Sequence, residues 1–471
     1  MSGASNRFAA FWLTLIVVTY LLVGTLFAVY TPDWQAPDEP AHYNYVRYLA
    51  EQGRFPVLQH GDYPQDYLEE IKSQKFPVHL SIDPIRYEFY QPPLYYLLAT
   101  PVFKLFDGAL LPLRLLSVIL GGGLICAAYG LAAAVCSTPS ALALGAAAFV
   151  AFLPMHVAMT AAVNNDTLAE LLLALALWGV MRYLRRDTQE KKALSVVGLL
   201  LGLGLLTKIY ALIPAAVAVV AVALRRWRDP RRAARELAWL LMPALVLVLP
   251  WLARNVVTYG WPDVMGLARH DMVVEGQPTT AEWIADYGWA YLIWQGVQTT
   301  YRSFWGKFGW MAVLMDRRIY LALTVFAVVS AAGLIWWLVA IWRSLRRVGQ
   351  AKIPSPPGDM APKEPSPLTS LGRRDGPAAL LLLSVLLTLL AYLWYNTKFV
   401  QHQGRYLFPA LIPLGLAMAL GWWTVVRRAG ALASRMTWSE RGNGLLFALP
   451  YAGLALLDVV CLFAFVIPYL S

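Results

Sequence analysis

Residues 8–43 read FAAFWLTLIVVTYLLVGTLFAVYTPDWQAPDEPAHY. The segment from Phe8 to Tyr30 carries no charge and has the length a membrane-spanning helix needs, roughly 20 residues. Pro37-Asp38-Glu39-Pro40-Ala41-His42-Tyr43 follows shortly after, so two adjacent carboxylates, a His and a Tyr stand where a spanning helix gives way to polar chain. No small-x-small cleavage site follows the apolar run, and it reads as a retained first span.

The rest of the chain has the same character. Of 471 residues 59% are hydrophobic and 14% charged, against about 45–50% and about 25% in soluble domains, and the apolar residues come in long blocks. Eleven spans are expected, over roughly 8–30, 109–135, 139–160, 164–184, 193–207, 209–224, 237–255, 319–342, 377–395, 404–426 and 444–468. The class is thus an all-α polytopic membrane protein, one domain over 1–471. With the N-terminus cytoplasmic, the loops at 182–192, 225–235, 343–374 and 427–441 fall inside. These loops hold more than half of the 39 Lys and Arg, which is the positive-inside pattern. The net charge of +11 therefore orients the protein in its membrane and excludes nucleic acid as the natural partner. Cys126, Cys136 and Cys461 lie in or beside apolar segments and read as small buried hydrophobes, with no disulfide or zinc spacing.

Two large segments fall outside. In the first, 31–108, a helix is expected from Glu39 to Glu51, with Asp38 as its cap, Pro40 in the first turn, and Gly53 and Pro56 ending it. Ala41, Tyr45, Tyr48 and Leu49 share one face, which predicts an interfacial helix lying on the membrane. Leu94–Phe106 is too short to span and reads as a second interfacial helix. The second segment, 256–318, is rich in Trp (Trp261, Trp283, Trp289, Trp294, Trp305, Trp310). It reads either as an aromatic belt at the headgroups or as a lid or sugar platform. Residues 348–376, with six prolines, read as a flexible cytoplasmic linker. No P-loop or GxGxxG motif is present, so nothing in the chain is built for a nucleotide.

The topology collects the unusual polar groups on the outer side. Asp38, Glu39 and His42 follow the first span. Asn164, Asn165 and Asp166 lie between the third and fourth, and Thr207 and Lys208 end the fifth. Arg254 and Asn255 end the seventh, and Gln403, Gly404 and Arg405 open the tenth. Each has a plain structural explanation: Asp38 and Asp166 as helix caps, the cations as snorkelling side chains, His42 as an interfacial residue and His156 as a packed one. Convergence on one face points instead to an outward cavity with acids and bases at membrane depth, where ionisable groups are costly. Asp458, mid-span, has no assignment. A carboxylate in such a cavity can deprotonate an acceptor hydroxyl, and cations can hold a departing phosphate. With no nucleotide donor outside the cytoplasm, the donor chemistry that fits is a polyprenyl-phosphate sugar.

Six stretches carry a resemblance: PDEPAHY, YQPPLYYLL from Tyr90, NNDTLAE, LLTKIYAL, PWLARNVVTYGWP from Pro250 and QGRYLFPALIP from Gln403. In this order the chain resembles the GT-C membrane glycosyltransferases, the superfamily of the protein O-mannosyltransferases and the lipid A aminoarabinose transferase, and within it a bacterial branch. The resemblance implies Asp38 as the base that activates the acceptor, with Glu39 assisting by binding substrate or a metal. It implies Asp166 as a second cavity acid beside Asn165, with His42, Tyr43 and Gln91 around the substrate. Lys208, Arg254 and Arg405 become the lipid-phosphate ligands. It leaves a divalent metal open, and it implies inversion at the sugar, a glycan, lipid or protein acceptor, and a plasma-membrane location. Two rival functions remain: a transporter or flippase for lipid-linked sugars, which would favour repeats and mid-bilayer charges, and a non-catalytic receptor on the same fold.

Overall fold

The structure, a computed structural model, describes residues 3–136, 141–185, 190–350, 375–433 and 440–471; most of the expected linker, 351–374, lies outside them. The first half of the chain forms α1 (Gly3–Tyr30), α2 (Glu39–Gln52), α3 (Gln65–Ser73), α4 (Leu94–Leu105), α5 (Leu110–Val135), α6 (Ala141–Ala151), α7 (Pro154–Thr160), α8 (Asp166–Arg185) and α9 (Glu190–Leu205). The second half forms α10 (Leu212–Arg226), α11 (Pro230–Tyr259), α12 (Leu267–Val273), α13 (Thr280–Trp305), α14 (Arg317–Gln350), α15 (Asp375–Tyr395), α16 (Leu411–Ala433), α17 (Glu440–Val460) and α18 (Ile467–Leu470). A two-stranded antiparallel ribbon, β1 (Lys307–Phe308) and β2 (Val313–Leu314), sits between α13 and α14. Each of the eleven expected spans is helical. Among the described residues nine helical stretches are long and apolar enough to cross a membrane. A tenth span is the pair α6–α7, bent by 63°. The eleventh, α9, is shorter, at 16 residues, and packs between α8 and α11.

The bend in the third span follows from its sequence. Pro154 has no N–H for the carbonyl of Val150, one helical turn earlier. His156 Nδ1 takes that carbonyl instead, at 2.7 Å. Its other ring nitrogen meets Glu170 Oε2 at 3.0 Å, which ties the bend to α8. Close helix contact needs glycine at Gly121, where a Cβ would stand 1.9 Å from the Tyr20 hydroxyl; that hydroxyl donates to Thr160 Oγ1 on α7 at 2.8 Å.

Unwound chain between α9 and α10 is also accounted for. The carbonyl of Leu206 accepts from Leu94 N at 2.8 Å and that of Thr207 from Asn165 Nδ2 at 3.0 Å. The start of α4 and the loop before α8 thus fix Lys208.

The segment 31–108 folds over itself rather than lying flat. α2 ends at Gly53, which adopts φ 63, but it is buried on nearly every side: Ala41, His42, Asn44, Tyr45 and Val46 are all at most 2% exposed. Tyr45 stacks on Tyr96 of α4 at 3.6 Å, and Asn44 Nδ2 donates to the carbonyls of Ile82 and Ile85. The expected surface helix is therefore corrected. Residues 58–96 supply a small core of their own, including Leu58, Leu68, Ile71, Ile85 and Phe89, and cover the face that would have met lipid.

The tryptophans of 256–318 do not act as one set. Trp261, Trp289 and Trp294 are exposed, Trp305 is buried, and Trp310 borders the main cavity and donates to the Trp34 carbonyl. The three thiols are free, and only Cys461 is buried; Cys126 is exposed on α5.

Candidate active site

Glu39 ties the loop after α1 to the helices around it. It is fully buried and forms a two-pronged pair with Arg114 of α5, Nε to Oε1 at 2.8 Å and Nη2 to Oε2 at 2.6 Å. The same guanidinium donates to the carbonyls of Ala28, in the last turn of α1, and of Thr31 and Pro32 just after it. Glu39 Oε1 also accepts from Val163 N at 3.1 Å, so one ion pair joins the end of α1, the start of α2 and the loop before α8. Its carboxylate is fully engaged there and does not border the cavity, which corrects its expected catalytic place.

Asp38, the preceding residue, adopts a left-handed conformation with φ 67, and its side chain does not cap α2. Positive φ is uncommon for a residue with a side chain, though Asp is among the types that tolerate it. Here it turns the carboxylate into the cavity. Oδ1 accepts from the Tyr87 hydroxyl at 2.8 Å and Oδ2 from Arg405 Nη2 at 2.6 Å. Burial raises the Asp38 carboxyl, but Arg405, His42 and the two hydrogen bonds outweigh it and hold it at about 2. Tyr87 is pushed well up, by burial first and by Asp38 next, and so keeps the proton it donates.

Arg405 reaches Asp38 because Gly404 lies against the end of α13. A Cβ at 404 would stand 2.3 Å from Phe304 N, and Gly404 N donates to Ser303 Oγ at 2.8 Å. Gln403 Oε1 accepts from Arg405 Nε at 2.7 Å and fixes the guanidinium. A second pair stands in the same cavity: Lys208 Nζ lies 2.5 Å from Asp166 Oδ1. Asp166 is free for this because Asn164 does the capping, its Oδ1 accepting from Asp166 N and Thr167 N.

The cavity, about 590 Å³, is bordered by Asp38, His42, Gln91, Asp166, Lys208 and Arg405 among the expected residues. His42 Nδ1 meets the Tyr96 hydroxyl at 2.8 Å; burial pushes its imidazole below the ordinary value, against the pull of nearby Glu88. Gln91 Oε1 accepts from Asn165 Nδ2 at 3.3 Å, and Gln91 Nε2 donates to the Tyr90 hydroxyl at 3.1 Å.

Besides Glu39, three expected site residues stand elsewhere. Asn165 supports Gln91 and the Thr207 carbonyl from behind the wall. The Tyr43 hydroxyl donates to the Gly108 carbonyl at 2.7 Å, with its ring against Trp34 and Phe103. Arg254 donates to Asn255 Oδ1 and to the Pro56 carbonyl, its guanidinium over the rings of Trp251 and Tyr259. Its place near the end of α11 would suit a phosphate ligand, but its side chain is spent on the loop.

Sequence reasoning missed Tyr87, Glu88, Glu170 and the pair Asp271–Lys398, 2.7 Å apart, all of which border the cavity. Two of these were within reach: Glu170 lies one helical turn after Asp166, and Glu88 precedes Gln91 by three residues. Asp271 and Lys398 meet only through tertiary packing. As for a metal, divalent cations need several oxygen or imidazole ligands together. Among the described residues no three His, Cys, Asp or Glu side chains form such a group, and Asp38 and Asp166 already face cations. The residues present do not fit a resident metal.

The family model for dolichyl-phosphate-mannose-protein mannosyltransferases matches residues 90–253. No curated protein sequence matches the chain. Among solved structures the chain is similar to ArnT from Cupriavidus metallidurans in the apo state, with TM-score 0.53 and 14% identity, covering 99% of this chain and 74% of that one. It is similar to the same protein bound to undecaprenyl phosphate, with TM-score 0.50 and 16% identity over 98% and 74%. A third is the oligosaccharyltransferase AglB from Archaeoglobus fulgidus in complex with an inhibitory peptide and a dolichol-phosphate, with TM-score 0.50 and 13% identity over 97% and 56%; this chain spans little more than half of AglB. In fold and membrane architecture the chain is similar to these solved membrane proteins, and its residues 90–253 match the mannosyltransferase family model.

Proposed function

We propose that the protein is an inverting glycosyltransferase, moving a sugar from a polyprenyl-phosphate donor to an acceptor hydroxyl on a glycan, lipid or protein. It would act at the extracytoplasmic face of the plasma membrane, with its N-terminus in the cytoplasm. One observation carries this reading: two Asp–cation pairs, Asp38–Arg405 and Asp166–Lys208, border one cavity at the ends of membrane helices.

Arg405 and Lys208 are the cations a lipid phosphate would meet. When the phosphate takes Arg405, Asp38 loses the partner that holds its carboxyl down. Burial then dominates and raises it, which makes it a stronger base at the moment the donor is in place. The acceptor oxygen attacks the anomeric carbon from the face opposite the phosphate and its proton passes to the Asp38 carboxylate. The sugar–phosphate C–O bond breaks, and its electron pair leaves on the polyprenyl phosphate, whose charge Arg405 and Lys208 stabilise. His42 and Gln91 border the space left for the sugar. Glu39, Asn165 and Tyr43 act as positioning residues.

The test is donor consumption by the purified protein in detergent, with no membrane gradient. Incubation with undecaprenyl-phosphate mannose and other undecaprenyl-phosphate monosaccharides should release undecaprenyl phosphate and a product of inverted anomeric configuration. Movement of intact lipid-linked sugar across vesicles, with no donor consumed in detergent, would establish the transporter instead.

A further inference from the structure

Every Asp on the cavity wall named so far has a cation. Asp38 has Arg405, Asp166 has Lys208 and Asp271 has Lys398. Glu88 does not. It is 9% exposed, it borders the cavity, and its Oε2 is buried with no hydrogen-bond donor reaching it among the described residues. A buried acceptor left without a donor is costly, and more so when it is a carboxylate. The backbone holds Glu88 in place: Phe89 N donates to the Arg86 carbonyl and Gln91 N to the Glu88 carbonyl. That turn is clamped on both sides, by Tyr87 on Asp38 and by Tyr45, whose hydroxyl donates to the Gln91 carbonyl.

We propose that Glu88 is a carbohydrate-binding carboxylate, which accepts hydrogen bonds from sugar hydroxyls in the cavity and sets which sugar is held there. Sugar hydroxyls supply the neutral donors this oxygen lacks, and a carboxylate accepts them more strongly than a neutral group does. The surroundings fit a sugar ring in a second respect. Trp310, Trp394 and Tyr395 border the same space; Trp310 packs on Phe76 and Trp394 carries Lys398 over its ring, so Tyr395 is the aromatic wall best placed for the C–H side of a pyranose, with Glu88 available to its hydroxyl edge. This inference rests on the glycosyltransferase reading. The hydroxyls belong either to the donor sugar or to a carbohydrate acceptor.

The experiment compares wild type with Glu88→Gln and Glu88→Ala, after thermal unfolding in detergent shows that each variant is folded. Binding is measured for undecaprenyl phosphate and for undecaprenyl-phosphate mannose; transfer is measured to octyl glucoside. If the donor sugar is the ligand, both variants lose about tenfold or more in affinity for the mannosyl lipid and keep wild-type affinity for the sugar-free lipid. If the acceptor is the ligand, both lipids bind as in wild type and the KM for octyl glucoside rises about tenfold, with kcat little changed. Equal losses for both lipids, or no change in any of the three measurements, overturn the role of Glu88 alone. Failure of the wild type to bind either lipid overturns the lipid-donor reading, and this inference with it.

Discussion

Asp38→Asn should separate binding from chemistry in opposite directions. In the free protein Asp38 competes with the donor phosphate for Arg405, through a 2.6 Å charge-assisted hydrogen bond. Such a bond, partly buried, is worth about 1.5–3 kcal/mol. Asn keeps the shape but not the charge, so the phosphate no longer has to displace an ion pair. At about 1.4 kcal/mol per tenfold, undecaprenyl phosphate should bind the variant about ten- to a hundredfold more tightly than wild type. Transfer should fall by about 10²–10⁴, the usual contribution of a general base. Binding can be followed by fluorescence or scintillation proximity with the protein in nanodiscs, and transfer by chromatography of released undecaprenyl phosphate. The reasoning fails if the variant binds the lipid no better than wild type, since Asp38 would then not be the group the phosphate displaces. It fails equally if transfer survives.

Glu39→Gln, which breaks the buried pair with Arg114, should cost about 3–5 kcal/mol of stability, read as a lower thermal midpoint in detergent; an unchanged midpoint would remove its role as a strut. Gly404→Ala forces a Cβ to within 2.3 Å of Phe304 N; overpacking of about 1–3 kcal/mol should weaken undecaprenyl phosphate binding by displacing Arg405, and wild-type affinity would contradict this. Arg254→Ala should leave kcat/KM within about threefold of wild type, because its guanidinium is outside the cavity, whereas a hundredfold loss would return it to the phosphate site. Asp38 sits at about 2, below its ordinary value of 3.8, so its pairing contributes stability above about pH 4 that is lost as pH falls toward 2. The wild-type thermal midpoint should fall more steeply over that window than that of Asp38→Asn, and parallel curves would show that the pair contributes nothing.

The spans were legible because apolar blocks of spanning length admit few other readings, and the side on which motifs fall follows from the Arg-rich loops. That was enough to bring Asp38, His42, Gln91, Asp166, Lys208 and Arg405 to one face, and the structure joins all six around one cavity. What escaped was the direction of individual side chains. Asp38 reads as a helix cap, yet its φ of 67 turns it away from the helix it precedes, and no local pattern distinguishes the two. Glu39 reads as a twin of Asp38, but its partner Arg114 lies 75 residues further on. Arg254 lies near the end of α11, and only the path of the loop through Pro56 decides that its guanidinium is occupied. The surface helix was misplaced for a related reason: its amphipathic face is real, but residues 58–96 cover it.

The ring of His156 owes its tautomer to a proline two residues before it. A carbonyl oxygen only accepts, so the nitrogen facing Val150 must carry hydrogen, and the other nitrogen is turned to Glu170. Glu170 in turn forms part of the cavity wall, a single helical turn from Asp166. A missing backbone amide in the third membrane helix thus sets the orientation of a ring that braces one acid of the site, so the bend and the cavity wall are positioned by the same residue.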